Sequence, residues 1–512
     1  MKPLSTSIYT FEKLIEGGYT YVDKTAEIYE LIEEFSAQYF LARPRRFGKS
    51  LLISTLKAIF QGRRELFKGL ALEKLDYDWQ NHPVIHLDMG SCTGDTAEEV
   101  REKLRYRLRR AYEDNKVELC DDNEVIAFEH LVSELNQRSG GVVILVDEYD
   151  KPLLGHLGNE SALEVQKILK SFYSVIKTTE ALQRFALITG VSKFSKVSIF
   201  SDLNNLTDLT MQRGAATLLG YTQEEVESYF PEYIERLAEE MNKTPDAILG
   251  ELKTWYNGYC FEESQPTVYN PVSLMRCLSE RKFKNFWFET GTPTFLINLL
   301  KRQPIEPQNL NLPESAFSVY EPQQLEIIPL LVQTGYLTLK KLNIRGHRRT
   351  YELGYPNVEI EESFNMCIAK SFCELSDITL SDSITGLLDA LDNGDMAKLM
   401  KHLKVFFAGI PYDIQLSNEK YYQTIFFVIF RLLGSIVEAE SRSSDGRVDA
   451  LLKTPERIVL FEFKLHGTAE EALAQINNKD YALSYEDDGR ELIKVGVAFD
   501  SETRNLAEWI IE

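Results

Sequence analysis

The sequence predicts an α/β protein of several domains: a mostly parallel sheet near the N-terminus, a helical, winged-helix-like middle region and a C-terminal αβββαβ unit. In residues 1–219, short apolar runs alternate with longer helical segments, which is typical of a doubly wound parallel sheet. From residue 220 the pattern is helical, and near residue 420 short strands return. Because 512 residues exceed the size of one typical core, we expect domains over 1–219, 220–354, 355–415 and 416–512.

Composition and charge narrow the class of protein. The net charge is −21, which argues against a protein that coats nucleic acid non-specifically. The longest apolar stretches, such as 425–430, are far shorter than the roughly 20 residues of a membrane span, and the N-terminal segment lacks the apolar region of a signal peptide. Six scattered cysteines without a CxxC pair predict reduced thiols. We therefore expect a cytoplasmic protein without a membrane partner.

The N-terminal domain is predicted from an alternation of strands and helices. The predicted strands are short and apolar, at 38–41, 84–88, 142–146 and 185–189. The predicted helices cover 49–60, 96–112, 124–137 and 161–179. Parallel strands need such crossover connections, so this order predicts a parallel sheet covered by helices.

The rest of the chain follows different patterns. A helix over 325–333 precedes strands at 336–342 and 350–353, joined by the turn NIRGHRR. This order resembles a winged-helix module, although a plain hairpin explains it equally well. Residues 355–415 are helical and acidic, and are predicted to form a spacer or packing layer. Beyond them, helices at 420–433 and 469–476 and strands at 436–440, 447–453, 458–464 and 493–499 give the αβββαβ order.

The segment LARPRRFGKSLL follows the first strand and opens a helix, as a Walker A phosphate-binding loop does. Gly48 lets the backbone approach phosphates, Lys49 would reach the β- and γ-phosphates, and the Ser50 hydroxyl would ligate Mg²⁺. The helix N-terminus adds partial positive charge. Arg46 is a further candidate contact to the nucleotide. Arg43 stands where the first glycine of the usual pattern would fall, so the loop is a variant.

An acidic pair follows the third strand, in the sequence VVILVDEYD. The strand would deliver Asp147 to the carboxyl edge of the sheet, where it could hold Mg²⁺, and Glu148 could polarise an attacking water. Alternatively, these acidic residues end a buried strand simply where it meets solvent. Thr189, at the tip of the next strand, is a sensor-like candidate for the nucleotide or simply a polar residue that ends a strand.

The C-terminal hairpin allows its pairing register to be calculated. If 454–457 is the turn, Lys453 pairs with Ile458, and Asp449 then lies directly opposite Glu462. Lys464 lies two residues beyond Glu462 and projects from the same face. Two facing carboxylates repel one another, and a divalent cation between them is an economical solution.

Oxygen ligands of this kind suit Mg²⁺ or Mn²⁺. Asp449 and Glu462 would hold the metal, with the main-chain carbonyl of Phe463 as a third ligand. Lys464 would orient or activate a water and stabilise negative charge on a phosphate. The alternative is a cross-strand salt-bridge cluster that includes Arg447.

Two basic clusters are candidate contacts to nucleic acid. Arg101, Arg105 and Arg109 recur along one helix, but the glutamates beside them favour a salt-bridged, solvated face. The RGHRR turn (345–349) could be a wing that contacts nucleic acid, although a solvated turn is the favoured interpretation.

Together these segments resemble a bacterial family that joins an AAA-ATPase-like domain to a PD-(D/E)XK nuclease domain. The resemblance is carried by YVDKT (21–25), RPRRFGKSL (43–51), VDEYDKPL (146–153), TGVSKFSKVSIFS (189–201), WYNGY (255–259) and GRVD…EFK (446–464). A missing first glycine in the phosphate loop is usual for this family.

The resemblance implies Asp449, Glu462 and Lys464 as nuclease residues. It also implies Gln475 as a helper on the following helix, and Glu440 lies near the place where related nucleases carry another acidic residue.

These observations predict an enzyme that binds and hydrolyses ATP and thereby regulates a metal-dependent phosphodiesterase, or nuclease, site. Its cofactors would be ATP and Mg²⁺ or Mn²⁺, and its substrate nucleic acid, DNA more than RNA. A homo-oligomer is one expected assembly, since ATPases of this type often complete their sites between subunits. The alternative is an ATP-dependent switch or scaffold whose nuclease-like domain is catalytically silent and serves for binding.

Overall fold

The computed structural model describes most of the chain, and two compact units make it up. The described residues are 1–34, 37–157, 159, 161–193, 206–287, 296, 299–300, 310–317, 326–373, 376–408, 428–429, 432, 438–439, 449–464, 467–479, 482, 485, 488–500 and 505–512. The first unit is Met1–Thr290 with Pro307–Ile360, and the second is Gly291–Glu306 with Glu361–Glu512. The four-domain division stays a prediction. Among the described residues, no helix has the length and apolarity that crossing a bilayer requires.

A five-stranded, all-parallel sheet forms the centre of the first unit, which confirms the predicted sheet. Its strands are β1 (Ala37–Ala42), β2 (Val84–Asp88), β3 (Val142–Asp147), β4 (Gln183–Gly190) and β5 (Thr207–Asp208), in the order β2-β3-β4-β1-β5. Every residue of β1 and β3 is buried, as expected for a sheet covered on both faces. The sequence did not predict β5, because two residues carry no periodic signal.

Helices connect these strands. They are α1 (Phe11–Glu16), α2 (Thr25–Ile32), α3 (Lys49–Phe60), α4 (Ala97–Asp114), α5 (Glu124–Ser139), α6 (Lys151–Leu154) and α7 (Ala162–Thr178). In two of these helices a side chain caps the first turn. The Thr96 hydroxyl accepts a hydrogen bond from the Glu99 amide at the start of α4, and the Asn123 side chain accepts from backbone amides at the start of α5. Short 3-10 helices lie at Arg64–Phe67, Ala71–Lys74, Glu180–Leu182, Arg213–Ala215 and Glu314–Phe317.

A helical subdomain follows the parallel sheet. It contains α8 (Gln223–Tyr229), α9 (Pro231–Glu240), α10 (Pro245–Tyr256) and α11 (Pro271–Glu280), which share one buried apolar cluster. Proline opens three of these helices, where its missing N–H costs nothing. Thr222 and Glu225 form a reciprocal capping box at α8.

The predicted helix with a two-stranded ribbon is confirmed. Helix α12 (Ile327–Thr334) precedes a sheet of β6 (Leu310–Pro313), β7 (Thr338–Arg345) and β8 (Arg348–Gly354) in the order β6-β8-β7, with antiparallel pairs. The third strand, β6, was not predicted, because an edge strand of four residues that ends in proline is too short for its alternation to be recognised.

The second unit is built on a mixed five-stranded sheet. Helices α13 (Val358–Cys373), α14 (Asp377–Asp392) and α15 (Met396–Ala408) precede it in the chain. Its strands are β9 (Glu438–Ala439), β10 (Ala450–Lys453), β11 (Arg457–Lys464), β12 (Glu491–Asp500) and β13 (Asn505–Ile511), in the order β13-β12-β11-β10-β9. Only β11 and β12 run parallel, and α16 (Ala469–Asn478) lies between them in the chain.

The calculated hairpin register is confirmed, because Lys453 pairs with Ile458. The capping box of Thr468 and Glu471 at α16 is confirmed as well. Strand β13 was not predicted, and most of the expected helix over 420–433 lies outside the described residues.

Helix α16 packs so closely on the mixed sheet that one sheet position must be glycine. A Cβ added at Gly496 would collide with the main-chain carbonyl of Ala469 and lie 2.7 Å from the Leu473 nitrogen. Neither backbone atom can move without displacing α16.

Gly496→Ala is expected to destabilise the protein by about 2–4 kcal/mol, since backbone clashes cannot be relieved by a rotamer change. Thermal unfolding of purified protein measures the effect. Gly250→Ala is the matched control, because this exposed glycine of α10 has no atom near the added methyl. Equal melting temperatures for the Gly496→Ala variant and the native chain would contradict the packing described.

Candidate nucleotide site and candidate metal site

A cavity of about 440 Å³ lies at the carboxyl end of β1 in the first unit. In open α/β sheets, ligands bind at the carboxyl ends of the strands, at the point where the strand order reverses. Strand β1 lies between β4 and β5 in the sheet, so its carboxyl end is such a point. The cavity is lined by the phosphate loop, by the N-terminal segment and by two later segments: residues 5–9, 20–22, 24, 45–52, 218–221, 271–272 and 275 contribute. Its volume is that of a pocket for a small ligand such as a nucleotide.

The phosphate loop has the backbone shape of an anion-binding turn. Gly48 has a φ of 89° and immediately precedes α3, and Arg46 has a φ of 66°. The Lys49 ammonium donates hydrogen bonds of 2.9 Å to the carbonyl oxygens of Arg43 and Pro44. Burial lowers the pKa of Lys49, and the Asp147 carboxylate opposes that shift. Lys49 is therefore folded back onto its own loop, and its ammonium would have to turn to reach a phosphate.

Both other predicted loop residues line the cavity. Ser50 lies at the start of α3 beside Lys49, with its side chain partly accessible. Arg46 also lines it, and its guanidinium donates a hydrogen bond to the main-chain carbonyl of Phe286. The loop residues predicted from the sequence are thus brought to one cavity.

Arg43, the residue in place of the first Walker glycine, points away from the cavity. Its guanidinium donates to the carbonyl oxygens of Thr210, at 2.8 Å, and Ala215, at 2.7 Å. It also lies 4.0 Å from the centroid of the Phe261 ring. Arg43 therefore anchors the start of the loop to neighbouring segments. The sequence could not reveal this role, because the carbonyl partners lie more than 160 residues away.

The acidic pair after β3 is divided between two environments. Asp147 is buried and accepts hydrogen bonds from the Thr189 hydroxyl, at 2.7 Å, and from the Glu148 amide, at 3.0 Å. Thr189 is itself fully buried and orients Asp147, and it does not line the cavity. Glu148 does line the cavity, with an uncommon φ of 54°, and burial raises its pKa.

The segment YVDKT proves to be part of the cavity wall, a position that the sequence did not indicate. Tyr21, Val22 and Lys24 line the cavity. The buried Lys24 ammonium forms an ion pair with Glu225 and donates to the Thr217 carbonyl at 2.8 Å. This lysine therefore ties the N-terminal segment to the helical subdomain across the edge of the cavity.

In the second unit, four predicted residues form one connected cluster. Asp449 accepts a 2.8 Å hydrogen bond from the amide of Phe463, which places its carboxylate beside β11. Gln475, on α16, donates to Glu462 Oε1 and accepts from the Lys464 ammonium. Lys464 Nζ lies 3.9 Å from Glu462 Oε1. The fifth candidate, Glu440, lies outside the described residues.

The Glu462 carboxyl is the most perturbed group of this cluster. It is 2% exposed, and burial together with the neighbouring Asp449 raises its pKa to about 7. Its Oε2 atom is buried and has no hydrogen-bond partner among the described residues. An orphaned carboxylate oxygen beside a second carboxylate fits a divalent cation, which would replace the missing partner.

At this site the described residues supply two side-chain carboxylates, those of Asp449 and Glu462. Among the described residues there is no group of three His, Cys, Asp or Glu side chains placed to hold a metal ion. Further ligands would have to be main-chain oxygen or water, which Mg²⁺ commonly keeps. The Phe463 carbonyl as a ligand stays a prediction.

The fold defines a protein that carries a P-loop ATPase-type unit and a nuclease-type unit in one chain. Residues 5–200 match the family model described as a predicted AAA-ATPase, and residues 417–509 match that of the PD-(D/E)XK nuclease superfamily. An "uncharacterized protein in vnfD 5' region" from Azotobacter chroococcum mcd 1 is 36% identical over 525 residues, covering 100% of this chain and 99% of that protein. The chain belongs to the family that joins an AAA-ATPase-like domain to a PD-(D/E)XK nuclease-superfamily domain.

Glu462→Gln is expected to stabilise the metal-free protein at pH 8 and to have little effect at pH 5. The folded-state pKa of Glu462, about 7, lies above the ordinary value of 4.5, so the folded state binds the proton more tightly than the unfolded state. The stability that this provides is complete below pH 4.5 and is lost as the pH rises through 7. Glutamine resembles the protonated carboxyl group and does not titrate, so the variant keeps this stability at pH 8.

Melting curves in chelator-containing buffer from pH 5 to 8 measure the difference, which should reach roughly 2–4 °C at pH 8. Glu456→Gln, at an exposed position of the β10–β11 turn, is the matched control. A difference independent of pH would contradict a raised pKa at Glu462.

Proposed function

We propose that this protein is an ATP-regulated, metal-dependent nuclease. In this proposal nucleotide binding or hydrolysis in the first unit controls a phosphodiesterase site in the second. The observation that carries the proposal is the cluster of Asp449, Glu462, Lys464 and Gln475, in which a buried carboxylate oxygen lacks a partner.

The first unit would bind ATP in the cavity at the end of β1. Lys49 and the backbone of the loop at Gly48 would hold the phosphates, with Arg46 as a further contact. Ser50 and Asp147 would hold Mg²⁺, and Thr189 would keep Asp147 oriented. Glu148 lines the cavity and is the candidate that would orient the attacking water.

The base of the nucleotide would lie in the apolar part of the same cavity. The wall there is made of aliphatic and aromatic side chains from the N-terminal segment, from the residues just before α8 and from α11: Ile8, Leu14, Tyr21, Val22, Leu218, Leu219, Tyr221 and Met275. Binding there would connect the N-terminal segment and the helical subdomain, which the Lys24–Glu225 ion pair already joins.

The second unit would cleave a phosphodiester bond. Asp449 and Glu462, with the Phe463 carbonyl, would hold Mg²⁺ or Mn²⁺, which when bound activates a water and polarises the phosphate. Lys464 would orient that water and stabilise the negative charge that develops on the phosphate. Gln475 is a positioning residue, since it binds both Glu462 and Lys464.

Several finer points belong to the same proposal. The substrate would be nucleic acid, DNA more than RNA, and the protein would work in the cytoplasm. If a second copy of the chain completes the ATP site, the protein would be a homo-oligomer. Because the net charge is −21, contact with nucleic acid must rest on a local basic patch or on a bound metal.

A second candidate function is an ATP-dependent switch or scaffold with a silent nuclease-like domain. It is favoured by the state of the phosphate loop, in which Lys49 is engaged by two carbonyls of its own loop and Arg43 replaces a glycine. Such a loop is better suited to binding nucleotide than to fast turnover.

Cleavage of end-labelled DNA and RNA, with Mg²⁺ or Mn²⁺ and with or without ATP, tests the first proposal. Lys464→Ala should lower the cleavage rate at least about 100-fold, because it removes the cation that stabilises the phosphate. Lys49→Ala should remove the effect of ATP while leaving metal-dependent cleavage. Lys398→Ala, an exposed lysine of α15, is the matched control and should cleave like the native chain.

Equal cleavage by the Lys464→Ala and native proteins would refute the assigned site. If the native chain cleaves nothing under any of these conditions, yet assembles or captures a partner only with ATP, the switch or scaffold is the better account.

A further inference from the structure

The β7–β8 hairpin carries basic side chains along one exposed face. Its two-residue turn has Gly346 at the first central position with a φ of 61°, as a type II′ turn requires. Cross-strand pairing places Arg345 directly opposite Arg348, Asn343 opposite Thr350 and Lys341 opposite Glu352. Alternate residues of a strand share a face, so these six residues form one surface, which we call the basic hairpin face.

The two arginines at the tip of the basic hairpin face repel one another. Like charges directly opposite on neighbouring strands are destabilising. Arg345 and Arg348 are exposed, and within the described residues neither they nor Lys341 form an ion pair. One carboxylate, that of Glu352, belongs to this face, at its far end from the turn.

The arginines of α4 are neutralised. On α4, Arg101 and Arg105 pair with Glu124, and Arg109 pairs with Asp122 at 3.1 Å, which confirms the expected salt-bridged face. In a chain with a net charge of −21, acidic partners are abundant. The tip of the basic hairpin face therefore differs from α4, because Arg345 and Arg348 have no such acidic partner among the described residues.

The opposite face of the hairpin fixes it firmly. Leu339, Tyr351 and Leu353 pack into an apolar cluster with Phe317. Arg349, on this second face, forms ion pairs with Glu263 and with Glu314. The packing and the ion pairs of the second face thus fix the position of the hairpin, so the basic hairpin face does not need a ligand to become ordered.

We propose that the basic hairpin face binds the phosphate backbone of nucleic acid. Lys341 and Arg345 are four residues apart, about 13 Å along the strand, so positive charge extends as a ridge. Asn343 adds a side-chain amide donor between them, whereas the Thr350 hydroxyl already donates to the main-chain carbonyl of Asn343. A ridge of cations with an amide donor suits a continuous row of phosphates. Phosphate contacts carry no sequence information, so binding would be independent of sequence.

The inference rests on the proposed function for the identity of the polyanion, but it can fail separately. Binding of fluorescent single- and double-stranded oligonucleotides is measured by anisotropy, without ATP and with chelator, so that neither enzymatic activity contributes. The double variant Arg345→Gln, Arg348→Gln is compared with Arg109→Gln, Arg110→Gln, which removes the same charge from the salt-bridged α4. Melting curves establish that both variants are folded.

The hairpin variant should bind at least about fivefold more weakly than the native chain at 100 mM salt. The slope of log affinity against log salt concentration should fall by about 2, one for each lost phosphate contact, irrespective of sequence. The α4 variant should bind like the native chain.

Equal losses in the two variants would overturn the inference and leave the nuclease proposal standing. A native chain that binds no oligonucleotide in chelator would overturn the inference, and the cleavage assay with metal would still decide the nuclease proposal. A poly-glutamate peptide serves as the third probe: if only its binding depends on the two hairpin arginines, the face recognises acidic protein and the inference is wrong.

Discussion

Charged side chains withdrawn from water form the centre of both sites, and each is tolerated only where oriented dipoles replace its lost hydration. In the first unit, two carbonyl oxygens hold the Lys49 ammonium, and the Thr189 hydroxyl and a backbone amide hold Asp147. In the second unit the replacement is incomplete, because Glu462 keeps one buried oxygen without a partner.

This difference suggests how each site would respond to its ligand. A nucleotide entering the first unit must draw Lys49 away from Arg43 and Pro44, so binding is linked to a rearrangement of the loop. A metal entering the second unit would displace the proton of the Glu462 carboxyl, whose pKa is about 7, and would supply the partner that its buried oxygen lacks. Under the proposed function, the first site would act as a switch and the second would take up its metal ion without a rearrangement of the backbone.

The parallel sheet explains why the residues of the first site come together. Strands β1, β3 and β4 are neighbours, so their carboxyl ends deliver the phosphate loop, Asp147 and Thr189 to one edge. In the second unit, the parallel pair of β11 and β12 requires a crossover, and α16 in that crossover carries Gln475 to Glu462. Both sites thus follow from strand order as much as from the residues themselves.

Much of this architecture could be predicted from the sequence. The buried strands have strong apolar runs, and the β10–β11 register follows from a short turn, so the place of Asp449 beside β11 could be calculated. Short edge strands such as β5 and β6 carry too few residues for a periodic signal. The anchoring of Arg43 and the contact of Thr189 with Asp147 depend on tertiary neighbours, which local sequence does not encode.

Direct measurement of Mn²⁺ binding by electron paramagnetic resonance, in the absence of nucleotide, tests the central claim most directly. The account predicts a bound Mn²⁺ that is lost in Glu462→Gln and retained in Lys49→Ala, because the orphaned carboxylate of the second unit holds it. Retention of that Mn²⁺ in Glu462→Gln, or its absence from the native chain, would contradict the account.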